Sequence, residues 1–79
     1  MHALPDDDSW IADHRRAIGD AIRRERLHQN RTQDDVWLCA GISRYTLQRA
    51  EGGQDVTLST LLRIARALNV PLSHLVEAE

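Results

Sequence analysis

Four side chains near the middle of the chain have the types and spacing to do chemistry on a nucleic acid: Arg44, Tyr45, Gln48 and Arg49. On an ideal helix they sweep an arc of roughly 140°, while Leu47 and Ala50 point away from it. A guanidinium can grip a guanine through two hydrogen bonds, and a Gln amide can do the same for adenine. A Tyr ring can meet a thymine methyl or bond to a phosphate. An ordinary amphipathic helix would carry the same polar face for solvent alone, so the flanking elements must decide between the two readings.

Those elements form a motif over residues 32–52, TQDDVWLCAGISRYTLQRAEG. Thr32 is placed to cap a helix, with Asp34 and Asp35 in a first turn where the helix dipole favours negative charge. That helix is expected to run to Ala40 and stop at Gly41. Ser43 caps the next one, which reaches Ala50 or Glu51 before Gly52 and Gly53 break it. Two short helices across a tight Gly-containing turn, with polar tips on the second, make the layout of a helix-turn-helix DNA reader.

The rest of the chain supplies the support. Residues 1–8 are an acidic, Pro-containing stretch with little to bury, read as a flexible leader, and residues 9–79 as the domain. Ser9 or Asp8 can cap a first helix, reaching about Gln29, that aligns Ile11, Ile18 and Ile22 on one face. Gly19 lies inside it at a cost of about 1 kcal/mol relative to Ala, without an evident local reason. Asn30 suits the left-handed residue that ends it. Thr57 caps a fourth helix with an apolar stripe of Leu58, Leu61, Leu62, Ala65 and Leu68, Ile64 lying on its flank. Asn69 ends that helix, and Pro71 opens a last one through Leu72, Leu75 and Val76. No strand-like alternation occurs, so the expected fold is all-α with five helices.

At 79 residues and 9.0 kDa the chain has room for one domain with one core. A single cysteine, Cys39, excludes a disulfide framework and suits a reducing interior. With no apolar run long enough to span a bilayer, a cytoplasmic location is expected. The formal net charge of −2 argues at face value against a polyanionic partner. However, ten arginines face seven acids between Ser9 and Val76, so the middle of the chain is mildly basic. His2, His14, His28 and His74 lack metal-ligand spacing, Cys39 has no sequence neighbour to activate it, and no catalytic constellation is identifiable. No metal, cofactor or enzymatic activity is therefore expected.

Taken together, IGDAIRRER, TQDDV with AGIS, YTLQRAEGG and LSTLLRIARALNVPLSHLV resemble the Cro/C1-type, or XRE-type, helix-turn-helix family of phage and bacterial repressors. The resemblance spans roughly residues 18–76 and implies the compact five-helix, lambda-repressor-like DNA-binding domain. It places a phosphate-touching, buttressing Gln at Gln33 and the base readers at Arg44, Tyr45 and Arg49, with Gln48 beside them and Ser43 at the start of their helix. Backbone near Gln33 and the loop around Gly52 and Gln54 are then expected to seat the domain on phosphates. Arg26 and Glu51 match a family salt bridge behind the DNA-binding face, an exposed pair of little consequence being the other reading.

The chain departs from the family pattern at several positions. Trp37 replaces a small Ala between the motif helices, and Ala50 stands where Ile or Leu is usual, which points to an exchange of large for small. The alternative is a rim Trp stacking on a partner. Arg31 replaces a buried Leu, and Asp55 adds an acid after the recognition helix.

Leu68, Val70, Leu72, Leu75 and Val76 exceed what one small core must bury and are candidate dimerisation residues, unless they complete the protomer core. A homodimer would present two recognition helices about 34 Å apart on a near-palindromic site in double-stranded DNA. The leading functional expectation is a sequence-specific transcriptional regulator, either a repressor or an autoregulator. The other is a protein-interaction module, such as an antitoxin binding a protein partner, in keeping with the acidic leader.

Overall fold

The computed structural model describes residues 8–76, which form five helices and no strand. The leader lies outside these residues except for Asp8, as do residues 77–79. The helices are α1 (Ser9–His28), α2 (Gln33–Ala40), α3 (Arg44–Glu51), α4 (Leu58–Leu68) and α5 (Leu72–Val76).

Local chemistry sets most of the boundaries. Thr32 and Asp35 form a reciprocal capping box on α2, each side chain bonding the other's N–H at 3.1 Å. The Ser43 and Thr57 hydroxyls accept the N–H groups of Thr46 and Thr60 at the starts of α3 and α4. Asp8 occupies the N-cap position of α1 but makes no side-chain capping bond. Asn30, Gly41 and Asn69 take left-handed φ values of 56°, 71° and 61°, which end α1, α2 and α4. The turn at Gly41 leads directly into α3, so α2 and α3 pack against each other as a pair.

Ile22, Val36, Ala40, Leu47, Ala50, Ile64, Ala65, Ala67, Leu68 and Leu75 form the buried core, with every helix contributing. Two expectations are corrected here. The apolar stripe of α4 is rotated, so Ile64 and Ala67 are buried while Leu58 and Leu62 stand 63% and 49% exposed. The cause is that α4 is covered by α2, α5 and α1 together, and the arc those helices cover centres on Ile64 and Leu68. Leu68 and Leu75 are 0% and 1% exposed, so they complete the protomer core and offer no side-chain surface to a second chain.

Polar groups bind the C-terminal ends of α1 and α4. Arg31 is half-buried and donates to the Ala67 carbonyl, while Gln29 Nε2 reaches the Leu68 carbonyl at 2.7 Å. Arg31 thus supplies a donor to a carbonyl at the end of α4 that a Leu in its place could not bond. Gln29 also bonds Glu25, and this bond, with His74 bonded on the other oxygen, holds the Glu25 carboxyl below its ordinary pKa.

Helix α1 approaches the end of α3 closely at Gly19. A Cβ on Gly19 would lie 2.6 Å from the carbonyl oxygens of both Ala50 and Glu51, so only glycine permits this approach. Beside it, Arg26 Nε and Nη2 meet Glu51 Oε2 and Oε1 at 2.7 and 3.1 Å, with both residues buried. Gln33 Nε2 donates to Glu51 Oε1 at 3.1 Å, and Arg23 approaches the same carboxylate to 3.9 Å and its backbone carbonyl to 3.4 Å. One carboxylate therefore locks α1, α2 and α3.

Two stability measurements test this account by chemical denaturation. Gly19→Ala should destabilise by on the order of 1–3 kcal/mol, although the same change in an open helix would stabilise by about 1 kcal/mol. Glu51→Leu should cost about 3–5 kcal/mol because it strands the Arg26 charge, and adding Arg26→Met should recover part of that loss.

Candidate nucleic-acid interface

Helix α3 is held by one face and free on the other. Leu47 and Ala50 are buried, and the carboxylate of Glu51 anchors the helix end. On the opposite side Arg44, Tyr45 and Gln48 are exposed, Tyr45 to 67%. The Arg49 guanidinium lies 5.7 Å from the Tyr45 ring centroid, within cation–π range, and its Nη2 donates to the Asp55 carbonyl at 2.9 Å. Arg49 is accordingly half-buried, with part of its donor set engaged by the loop after α3. The structure brings these four side chains to one surface.

The residues flanking α3 are placed differently from one another. Gln33 opens α2 and leans on Glu51, which leaves its amide oxygen and one N–H available. Ser43 is exposed, but its hydroxyl accepts the Thr46 N–H and shares a 2.8 Å bond with the Thr46 hydroxyl. Its proton is free for a phosphate only when Thr46 is the donor.

In the loop around Gly52 and Gln54 three backbone donors are engaged within the protein. The N–H groups of Gly52, Gly53 and Gln54 donate to the Gln48, Ala50 and Arg49 carbonyls at 2.9, 3.1 and 2.9 Å, closing α3. Gly52 therefore has no free donor, and Gln54 can reach a phosphate only through its exposed side chain. At the start of α2 the Asp35 N–H is likewise taken by Thr32, while the N–H groups of Gln33 and Asp34 lie before the first intrahelical bond.

Trp37 is half-buried against the core and turns its indole N–H to Asp34 Oδ1 at 2.8 Å. The space beside Ala50 is a half-open pocket of about 70 Å3 lined by Arg15, Ile18, Ala50, Gln54, Asp55, Val56 and Leu61. Trp37 does not line it, so the expected exchange of volume leaves that space unfilled. Arg44 Nη2 comes within 3.2 Å of Asp34 Oδ1, joining α2 to the exposed face of α3. Neither Arg23 nor Asp34 was singled out by sequence as part of this surface. Arg23 has a signal in its position one turn before Arg26, whereas the Asp34 to Arg44 contact crosses the turn and has none.

Cys39 is exposed on α2. Among the described residues no group of three or more His, Cys, Asp or Glu side chains is arranged to hold a metal ion. No helix among them is long and apolar enough to cross a membrane.

Comparison with known proteins bears on this surface. The sequence profile of the Cro/C1-type HTH DNA-binding domain matches residues 21–79. No curated protein matches the chain by sequence. Among solved structures, the chain is similar to the restriction-modification controller protein C.AhdI from Aeromonas hydrophila, with a TM-score of 0.76 and 25% identity over 80% of this chain and 97% of that one. It is also similar in fold to the hypothetical transcription factor NHTF from Neisseria, with a TM-score of 0.76 and 23% identity over 96% of this chain and 84% of that one. The profile covers α2 through α5 and the last eight residues of α1, including every residue of the exposed face of α3, and the chain belongs to the Cro/C1-type helix-turn-helix DNA-binding family.

Proposed function

We propose that this protein is a sequence-specific transcriptional regulator, a repressor or autoregulator, that binds a near-palindromic operator as a homodimer and reads it through the major groove. The observation that carries this reading is the division of α3, with Leu47 and Ala50 in the core and Arg44, Tyr45 and Gln48 in solvent. The similarity to a restriction-modification controller protein supports a regulatory role. In this reading Arg44 and Arg49 contact base edges, Gln48 and Tyr45 extend the readout, and Gln33, Ser43 and the Gln54 side chain meet phosphates. Arg23, half-exposed beside Gln33, adds positive charge to the phosphate-facing side.

With Leu68 and Leu75 committed to the core, the dimer surface falls to the unburied apolar side chains of the last two helices. These are Leu58 and Leu62 on α4, and Val70, Leu72 and Val76 around α5. Leu58 and Leu62 lie one turn apart on one face of α4.

Selection from a random duplex pool tests the readout. The wild-type protein should enrich a short near-palindrome, and Arg44→Ala with Arg49→Ala should blur defined positions in each half. Arg44→Ala alone should cost on the order of 1–3 kcal/mol at the consensus and less on random duplex. A uniform loss on both would mean a phosphate contact only. For the dimer, Leu62→Glu should shift sedimentation toward a monomer and abolish the dependence of binding on two half-sites. Unchanged sedimentation of a wild-type dimer would move the interface away from α4.

A further inference from the structure

Asp34, Trp37 and Arg44 form a chain of contacts running from the core to the tip of the recognition helix. The Trp37 indole packs against the core and donates Nε1–H to Asp34 Oδ1 at 2.8 Å. Arg44 Nη2 lies 3.2 Å from Oδ1 and 3.4 Å from Oδ2 of the same carboxylate. The backbone beneath is held by the Thr32–Asp35 capping box on α2 and the Ser43 cap on α3.

We propose that Asp34, fixed by Trp37, is a positioning residue that determines base specificity by holding the Arg44 guanidinium in the orientation that reads a guanine. The proposal rests on the reading of Arg44 as a base contact. A long Arg side chain on an exposed helix end samples many rotamers, and each must be abandoned when it grips a base. A carboxylate that engages one N–H of Nη2 narrows that set in advance and leaves the other four donors of the guanidinium available. The carboxylate would itself wander without Trp37, whose ring is held by the core and whose single N–H donor points at it.

A second effect comes from charge. Asp34 sits in the first turn of α2, beside Gln33 and close to where phosphates would lie, so its negative charge weakens attachment to any duplex regardless of sequence. It thereby lowers non-specific affinity while sharpening the response to the correct base, and both raise the ratio between specific and non-specific sites. As an ion pair with both partners more than half exposed, the Arg44–Asp34 contact adds little to folding stability, so the effect belongs in DNA discrimination and not in unfolding. The placement also accounts for Trp37 at a position where a small residue would pack more simply: an Ala there has no N–H to orient Asp34.

The test compares wild type, Asp34→Ala, Asp34→Asn, Trp37→Phe and Arg44→Ala on the selected consensus, its single-base variants and random duplex. Asp34→Ala should cut discrimination at the positions blurred by Arg44→Ala by on the order of tenfold. It should at the same time tighten binding to random duplex at low salt. Asp34→Asn retains an acceptor oxygen without the charge and should keep more of the base preference while showing the same gain on random duplex. Trp37→Phe removes only the indole donor and should move discrimination in the same direction by less. In an Arg44→Ala background, Asp34→Ala should no longer alter base preference. If Arg44→Ala blurs defined positions but Asp34→Ala leaves them sharp, the proposal is overturned while Arg44 remains a reader. If Arg44→Ala blurs nothing, the reading of Arg44 fails and the positioning role fails with it.

Discussion

A single buried carboxylate organises the DNA-binding half of this domain. Glu51 is buried, and a carboxylate taken out of water is costly unless its oxygens are bonded. Here Arg26 supplies two charge-assisted bonds from α1, and Gln33 supplies a third bond from α2. The three helices can meet in few other ways without stranding a charge. Because Glu51 is the last residue of α3, its partners hold the end of that helix against α1 and α2. Gly19 makes the arrangement possible, since any side chain there would strike the carbonyls of Ala50 and Glu51 and push α1 away from the pair.

With its end fixed, α3 separates a buried, anchoring face from an exposed polar one. The buried side chains Leu47 and Ala50 leave the opposite arc free, and the polar tips along it are not left slack. Arg44 leans on Asp34, and Arg49 is tied to the Asp55 carbonyl and lies within cation–π range of Tyr45. The exposed face of α3 is thus partly ordered by internal contacts, and in the proposed role this lowers the entropy cost of using long side chains as readers. Asp55, an added acid by sequence, serves this order through its backbone oxygen and not through its charge. The departures from the family pattern are also resolved by their surroundings. Trp37 orients Asp34, Arg31 satisfies a carbonyl at the end of α4, and the small Ala50 leaves a pocket beneath the loop that follows α3.

What could be read from sequence and what could not divide by the range of the interaction. Capping depends on residues three or four apart, so Thr32 with Asp35, Ser43 with Thr46 and Thr57 with Thr60 announce their helices locally. The left-handed stops at Asn30, Gly41 and Asn69 are equally local. The division of α3 into a polar and an apolar arc follows from helix periodicity alone. By contrast, periodicity could say that α4 has an apolar stripe but not where its centre lies, because α4 is covered from more than one direction. Leu58 and Leu62 therefore came out exposed, and Ile64 and Ala67 buried.

The sequence by itself determined the helices, their order, the turn between α2 and α3 and the chemical character of the exposed arc, since each is encoded within about one or two turns of chain. Tertiary structure alone decided which groups remain available at the surface. The N–H groups of Gly52 and Gln54 are consumed in closing α3, Leu68 and Leu75 are consumed by the core, and Asp34 reaches Arg44 across the turn. Each outcome depends on partners set by the packing of several helices, and a hydrogen-bond donor or an apolar surface can be used only once. That competition is settled by the folded arrangement and leaves no mark in the local pattern of residues.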